Sequence, residues 1–255
     1  MVSQNEGPRR PKKPGKPIAD GPTPEDYVWA ESALNQAYMA QLRHAIELGR
    51  AGDLKGAVEV SRDAIRASEA KGGIHEASVI LTFLPALFPG AAPDEALKLA
   101  HRVVALATGQ PHCEHLTSNA RFFAMQAQIR AGRKPAALDE AEACVLAGRA
   151  SKSHCKWLAT AWRYYGLLLS LAGRMQEALV ALSNAIDLAK SKPTDDPLAL
   201  ARSYDAIGRT LLEIKKTAAG IASLEKAASE FSKHRPEGER EERETQLTIK
   251  KAKSI

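Results

Sequence analysis

The amino-acid sequence predicts an all-α protein, a right-handed solenoid of about five antiparallel helix pairs. Three observations carry this expectation. Apolar residues recur at three- and four-residue steps through most of the chain, the spacing that gathers side chains on one helical face. Glycine and proline punctuate those runs. The whole pattern returns about every 41 residues, while β-branched stretches alternating with period two are missing.

The clearest pair lies in 157–193. Trp157, Leu158, Ala161, Trp162, Tyr165, Leu168 and Leu169 form one face of a first helix, Gly173 and Arg174 break it, and Met175, Ala178, Leu179, Leu182, Ala185, Ile186 and Leu188 form a second. Pro193 ends the pair, because proline offers no amide donor and clashes with the preceding turn. Such a hairpin leaves an apolar face uncovered and must stack on neighbours. The neighbours are marked by small residues five positions after each break, or after its equivalent: Ala57, Ala96, Ala137, Ala178 and Gly220, separated by 39, 41, 41 and 42 residues. A small side chain at that point permits a tight helix crossing.

In chain order, residues 1–23 read as a disordered, basic, proline-rich tail. Arg9, Arg10, Lys12, Lys13 and Lys16 face only Glu6 and Asp20, so the segment supplies +3 of the chain's net +6 and too little apolar surface to offset ordering. Thr23, Pro24, Glu25 and Asp26 suit a helix start. Five units are then expected, at about 37–73, 74–111, 112–153, 154–195 and 196–236. Unit one turns at Gly52 and Asp53. Unit two carries Pro85 inside its first helix, which should be distorted or shortened there, and restarts at Pro93. Unit three turns at Gly132 with Pro135 opening its second helix. Unit five opens at Asp196 and Pro197, and has Lys215 and Lys216 where a turn glycine is usual. Residues 237–255 are acid-rich early and lysine-rich late, the polarity that complements a helix dipole, and read as a solvating cap with Leu247 and Ile249 against the last unit.

Trp162, Tyr165, Gly166 and Leu169, followed by Ala178, Leu182 and Pro193, resemble the tetratricopeptide repeat pattern; so do Tyr204, Ile207, Gly208 and Leu211, followed by Gly220, Leu224, Ala227 and Pro236. Units one to three depart from it, with Ala45, Leu84 and Met125 in the glycine position. The family's repeat is about 34 residues long, so these helices are expected to be about a turn longer each. The resemblance implies that first helices line a concave face that grips a peptide. On that mapping the groove residues are Asn119, Phe122, Gln126 and Arg130 in unit three, Arg163 and Leu167 in unit four, and Arg202, Asp205 and Arg209 in unit five. Met39, Leu42, Ile46, Leu81 and Pro85 make the other end apolar. Arginine's planar fork suits carboxylates, so an acidic or C-terminal peptide is the sensible ligand.

Composition narrows the classes. Apolar residues make up 44% and aromatics 5%, with alanine and leucine abundant, a balance suited to closely packed helices. Cys113, Cys144 and Cys155 are too few and too odd for a disulfide framework, and no apolar run approaches the roughly 18 residues of a membrane span. A soluble, cytoplasmic protein is expected, with no membrane partner and no indication of oligomeric state. His112, Cys113, His154 and Cys155 have metal-ligand chemistry one repeat apart, but recurrence at one repeat is also what internal duplication gives; no metal and no other cofactor is expected. No phosphate loop, metalloprotease helix, dinucleotide fingerprint or nucleophile elbow occurs, so no catalytic residue is assigned and an enzyme is not expected. His44, His75 and His101 read as partly buried helical histidines. The expected function is a protein-interaction scaffold. The rival reading is a nucleic-acid-associated or ligand-sensing regulator working through the basic tail, which a solubilising role for that tail outweighs.

Overall fold

The computed structural model describes residues 38–151, 157–191 and 196–254, and every regular element among them is helical. The basic tail, the Thr23 cap, His154, Cys155, Pro193 and Ile255 lie outside the described residues. Helix α1 covers 38–50. It is followed by α2 (Leu54–Glu69), α3 (Gly73–Leu87), α4 (Pro93–Ala107), α5 (Glu114–Arg130), α6 (Lys134–Ala150), α7 (Leu158–Leu171), α8 (Met175–Ser191), α9 (Ala199–Glu213), α10 (Thr217–Ser232) and α11 (Glu239–Lys253). From α2 onward each helix packs against the next, and α3 also meets α5, α5 meets α7, and α7 meets α9. First helices therefore form a continuous inner wall and second helices an outer layer, an α-solenoid.

The turn inside a pair is built the same way four times. The amides of Asp53, Arg133, Arg174 and Lys216 each return 2.9 Å to the carbonyl five residues earlier, closing the end of the first helix. The residue just before must be left-handed, and Gly52, Gly132 and Gly173 supply φ of 85°, 73° and 78° without a Cβ penalty. Lys215 adopts the same conformation at 61° with its side chain in place. Asp53 then caps α2 by accepting the Gly56 amide at 2.9 Å, and prolines open α4 and α6.

Tight crossings fall where the small residues stand. Ala57, Ala96, Ala137 and Ala178 are fully buried, and a Cβ on Gly166 or Gly208 would lie 2.7 Å from Leu182 or Leu224. Leu84 and Met125, also fully buried, replace that glycine in the middle units. Pro85 falls in the last turn of α3, which runs two residues past it and at 15 residues is no shorter than α4 or α9. The long repeat is not all helix: the helices α2 to α11 run from 14 to 17 residues, and six-residue linkers at 108–113 and 233–238 take up part of the extra length.

The reading of the last helix also changes. α11 does not seat Leu247, which is 60% exposed; Glu242, Thr245 and Ala252 are its buried residues. Its polar face turns inward because Arg202, Asp205 and Arg235 offer it partners. Several carboxylates are buried with partners. Buried Glu76 pairs with Arg102, and buried Glu140 takes Arg121 at 2.8 Å and His101 at 2.7 Å. Arg62 grips Glu95 with two bonds of 2.6 and 2.7 Å. Such pairs brace successive helices; removing one partner would strand a charge, which is why each acid comes with a base. Of the histidines, His75 is half-buried, while His44 and His101 are exposed.

Candidate functional site

Asn119, Phe122 and Gln126 follow one another at steps of three and four on α5 and so share the face toward the inner wall. Phe122 is only 7% exposed, because it stacks parallel to Trp157 at 5.4 Å and meets Tyr164 edge-on at 6.4 Å. The Arg163 guanidinium lies 4.5 Å over the Tyr164 ring. The centre of the inner face is thus an aromatic layer joining α5 to α7. On the same face, Asn119 Oδ1, Gln126 Nε2 and Arg163 Nε are shut from solvent without a hydrogen-bond partner. The fourth such side-chain atom among the described residues is His75 Nε2, and burial holds that imidazole below its ordinary value, with Lys71 adding to the effect.

Arg130 does something different. Its Nη1 donates to the Phe88 carbonyl and its Nη2 to the Ala91 carbonyl at 3.1 Å, while its guanidinium covers the Phe88 ring at 4.8 Å. It closes the C-terminal end of α3. Of the apolar set, Leu42 and Leu81 pack on the core, Met39 is half-buried, Ile46 is 38% exposed, and Pro85 is exposed.

The structure brings the remaining candidates together. Arg163 and Leu167 from α7 and Arg202, Asp205 and Arg209 from α9 line one hollow of about 220 Å³, floored by Phe231 and walled by Glu241, Glu244 and Thr245 of α11. Arg202 bonds Asp196 at 3.1 and 3.2 Å and Glu241 at 2.9 Å. Arg209 bonds Asp205 at 2.7 Å, and the other Asp205 oxygen accepts Thr245 at 2.9 Å. The Arg202 hydrogen bond holds the Glu241 carboxyl below the usual range, and Asp205 raises the Arg209 guanidinium above its own. Three arginines therefore face Asp205, Glu241 and Glu244, and the hollow is not a positive wall. The sequence pattern on α9 alone showed the bases but not the acids of α11. A signal existed: Glu241 follows Arg202 by 39 residues and Thr245 follows Asp205 by 40, one repeat on.

At the other cysteine-histidine cluster, Cys113 and Cys144 are buried and His115 Nδ1 contacts the His112 carbonyl at 3.1 Å. Among the described residues no three His, Cys, Asp or Glu side chains converge as metal ligands, and no helix is long and apolar enough to cross a membrane.

An inner wall of first helices, glycine-closed turns and tight crossings at Gly166 and Gly208 define an all-α repeat protein with the tetratricopeptide-repeat fold. Solved structures agree. The apo form of RapI superposes with a TM-score of 0.65 at 14% identity, over 77% of this chain and 71% of that one. A Podosopora anserina kinesin light chain protein with TPR-like repeats gives 0.60 at 17% identity, covering 78% and 97%. MamA gives 0.53 at 17%, covering 74% and 95%. No family sequence model and no curated protein sequence matches the chain.

Proposed function

We propose that this protein is an interaction scaffold that takes an extended peptide of a partner protein along the inner face of α5 and α7. The observation that carries the reading is the trio of orphaned atoms, Asn119 Oδ1, Gln126 Nε2 and Arg163 Nε. A buried polar atom without a partner costs about 1–3 kcal/mol, and three on one wall ask for a reason. One acceptor and two donors complement the amides and carbonyls of a peptide main chain. Phe122, Tyr164 and Trp157 lie beside them as apolar surface for the peptide's side chains. The orphaned atoms are shut from solvent, so reaching them requires neighbouring side chains to move, and binding is coupled to side-chain rearrangement.

The partner's acidity is not part of the reading, since the arginines of α9 are satisfied within the chain. A random peptide library selected on the full-length chain tests the proposal. Selected peptides should bind Arg163→Ala about tenfold more weakly, a loss of about 1.4 kcal/mol, and Val180→Ala on the outer layer with unchanged affinity. Equal binding to both variants would remove the inner face from consideration.

A further inference from the structure

We infer that His75 makes the N-terminal end of the inner wall acid-sensitive: when its imidazole gains a proton, α1 lifts away from α3 while α2 stays in place. This device lies outside the peptide-binding stretch proposed on α5 and α7, and either reading can fail alone.

The contact comes first. Tyr38 of α1 sets its ring against His75 at 6.2 Å, tilted by 59°, and edge-on against Phe83 at 6.2 Å. Leu42 packs on the core a turn later, and Ala45 is the one fully buried residue of 38–50. A helix at the edge of the described stack with so few buried contacts opens without unfolding its neighbours. The His75 ring lies under the first of those contacts.

The surroundings of that ring favour its neutral form. Nε2 is shut from solvent with no hydrogen-bond partner, so a proton there would add a buried donor with no acceptor. Neighbouring charges add to the penalty. Lys71 acts on the ring from the link between α2 and α3, and His75 is the third residue of α3, at the positive end of that helix. Glu76 is buried and engaged by Arg102 of α4. In the last turn of α2, Arg66 holds Asp63 and Glu69 is exposed; in the first turn of α5, Glu114 is exposed and His115 contacts the His112 carbonyl. Arg43, His44, Glu47 and Arg50 of α1 are all exposed. The Tyr38 ring, tilted and at 6.2 Å, stands just past the ~6 Å within which a ring attracts a cation.

The sign follows. The closed form binds fewer protons than the open one, so its advantage is intact well above pH 6.5, the ordinary value of a histidine, and falls as pH drops through it. In that window α2 keeps its brace. Arg62 holds Glu95 of α4 with two bonds, and that pairing keeps the Glu95 carboxyl below its ordinary 4.5. The pivot is the α1–α2 turn, where Gly52 at a φ of 85° has open space around it.

The test is hydrogen exchange on the full-length chain at pH 7.5 and pH 5.5, with rates corrected for intrinsic chemistry. Opening of amides in 38–50 should rise at least about threefold in acid, and that of α2 should not. His75→Phe keeps a ring beneath Tyr38 that cannot be charged and should abolish the acid response; His44→Gln, at the exposed histidine of α1, should leave it intact. A third reading needs no variant to fold with a changed core: by its ring proton shifts, the His75 imidazole of the unaltered chain should titrate below 6.5. Equal opening of α1 at both pH values, acceleration of α1 and α2 together, an acid response that survives His75→Phe, or titration of His75 at or above 6.5 would each overturn the inference.

Discussion

The two ends of the candidate face solve opposite problems. On α5 and α7, Asn119, Gln126 and Arg163 keep buried polar atoms unsatisfied on the face that carries an aromatic layer. On α9, the polar groups of Arg202, Asp205 and Arg209 find partners inside the chain, two of them on α11. The contrast teaches that a polar residue on a groove is not thereby a ligand contact. What separates the regions is whether the chain has already supplied the partner, and that decides where an outside peptide has something to gain.

The largest expected effect breaks both regions at once. Gly166→Val or Gly208→Val places a branched side chain where even a Cβ would stand 2.7 Å from Leu182 or Leu224. Each should cost about 3 kcal/mol in denaturant unfolding, by overpacking a crossing that allows no retreat. Next come the orphaned amides. Asn119→Leu and Gln126→Met should each raise stability by about 1 kcal/mol, because an apolar group of similar shape removes a buried polar atom that nothing satisfies. Comparable substitutions at Asp205 should destabilise, since its two oxygens are both in use.

Acid should act on the second region and on the brace between α2 and α4. The Glu241 carboxyl is held below its ordinary 4.5 by its hydrogen bond from Arg202, and Glu95 likewise by Arg62. A carboxyl whose folded value lies below its unfolded one stabilises fully above the unfolded value and loses that contribution as pH falls through the folded one. Thermal unfolding should therefore drop below about pH 4.5, and Glu241→Gln should flatten part of the slope. The smallest effect is at the fourth turn. Lys215→Gly relieves a left-handed non-glycine residue and should stabilise by about 0.5 kcal/mol, the strain removed being partly offset by glycine's greater freedom when unfolded.

Much of the fold could be read from the residues. Ala57, Ala96, Ala137, Ala178 and Gly220 mark crossings, and Gly52, Gly132 and Gly173 mark turns, because both are local backbone requirements that only small residues meet. Lys215 was recognisable as an unusual turn for the same reason. The site was less legible. Arg130 reads as a groove residue by its position on α5, yet it closes α3 through two carbonyls that lie 42 and 39 residues away. The inward face of α11 was hidden because helical periodicity seats apolar residues, whereas Glu242 is seated by Arg235 of the preceding linker and Thr245 by Asp205 of α9. Pairing of that kind depends on which helices become neighbours, information that no single stretch contains.

The central claim is that the α5–α7 face sacrifices stability for a ligand, and one paired measurement on the Asn119→Leu, Gln126→Met double variant tests it directly. Melting temperature and affinity for a library-selected peptide should move in opposite directions, stability up by several degrees and affinity down by about tenfold or more. A double variant that melts lower than the unaltered chain, or binds the peptide as well, would contradict the account.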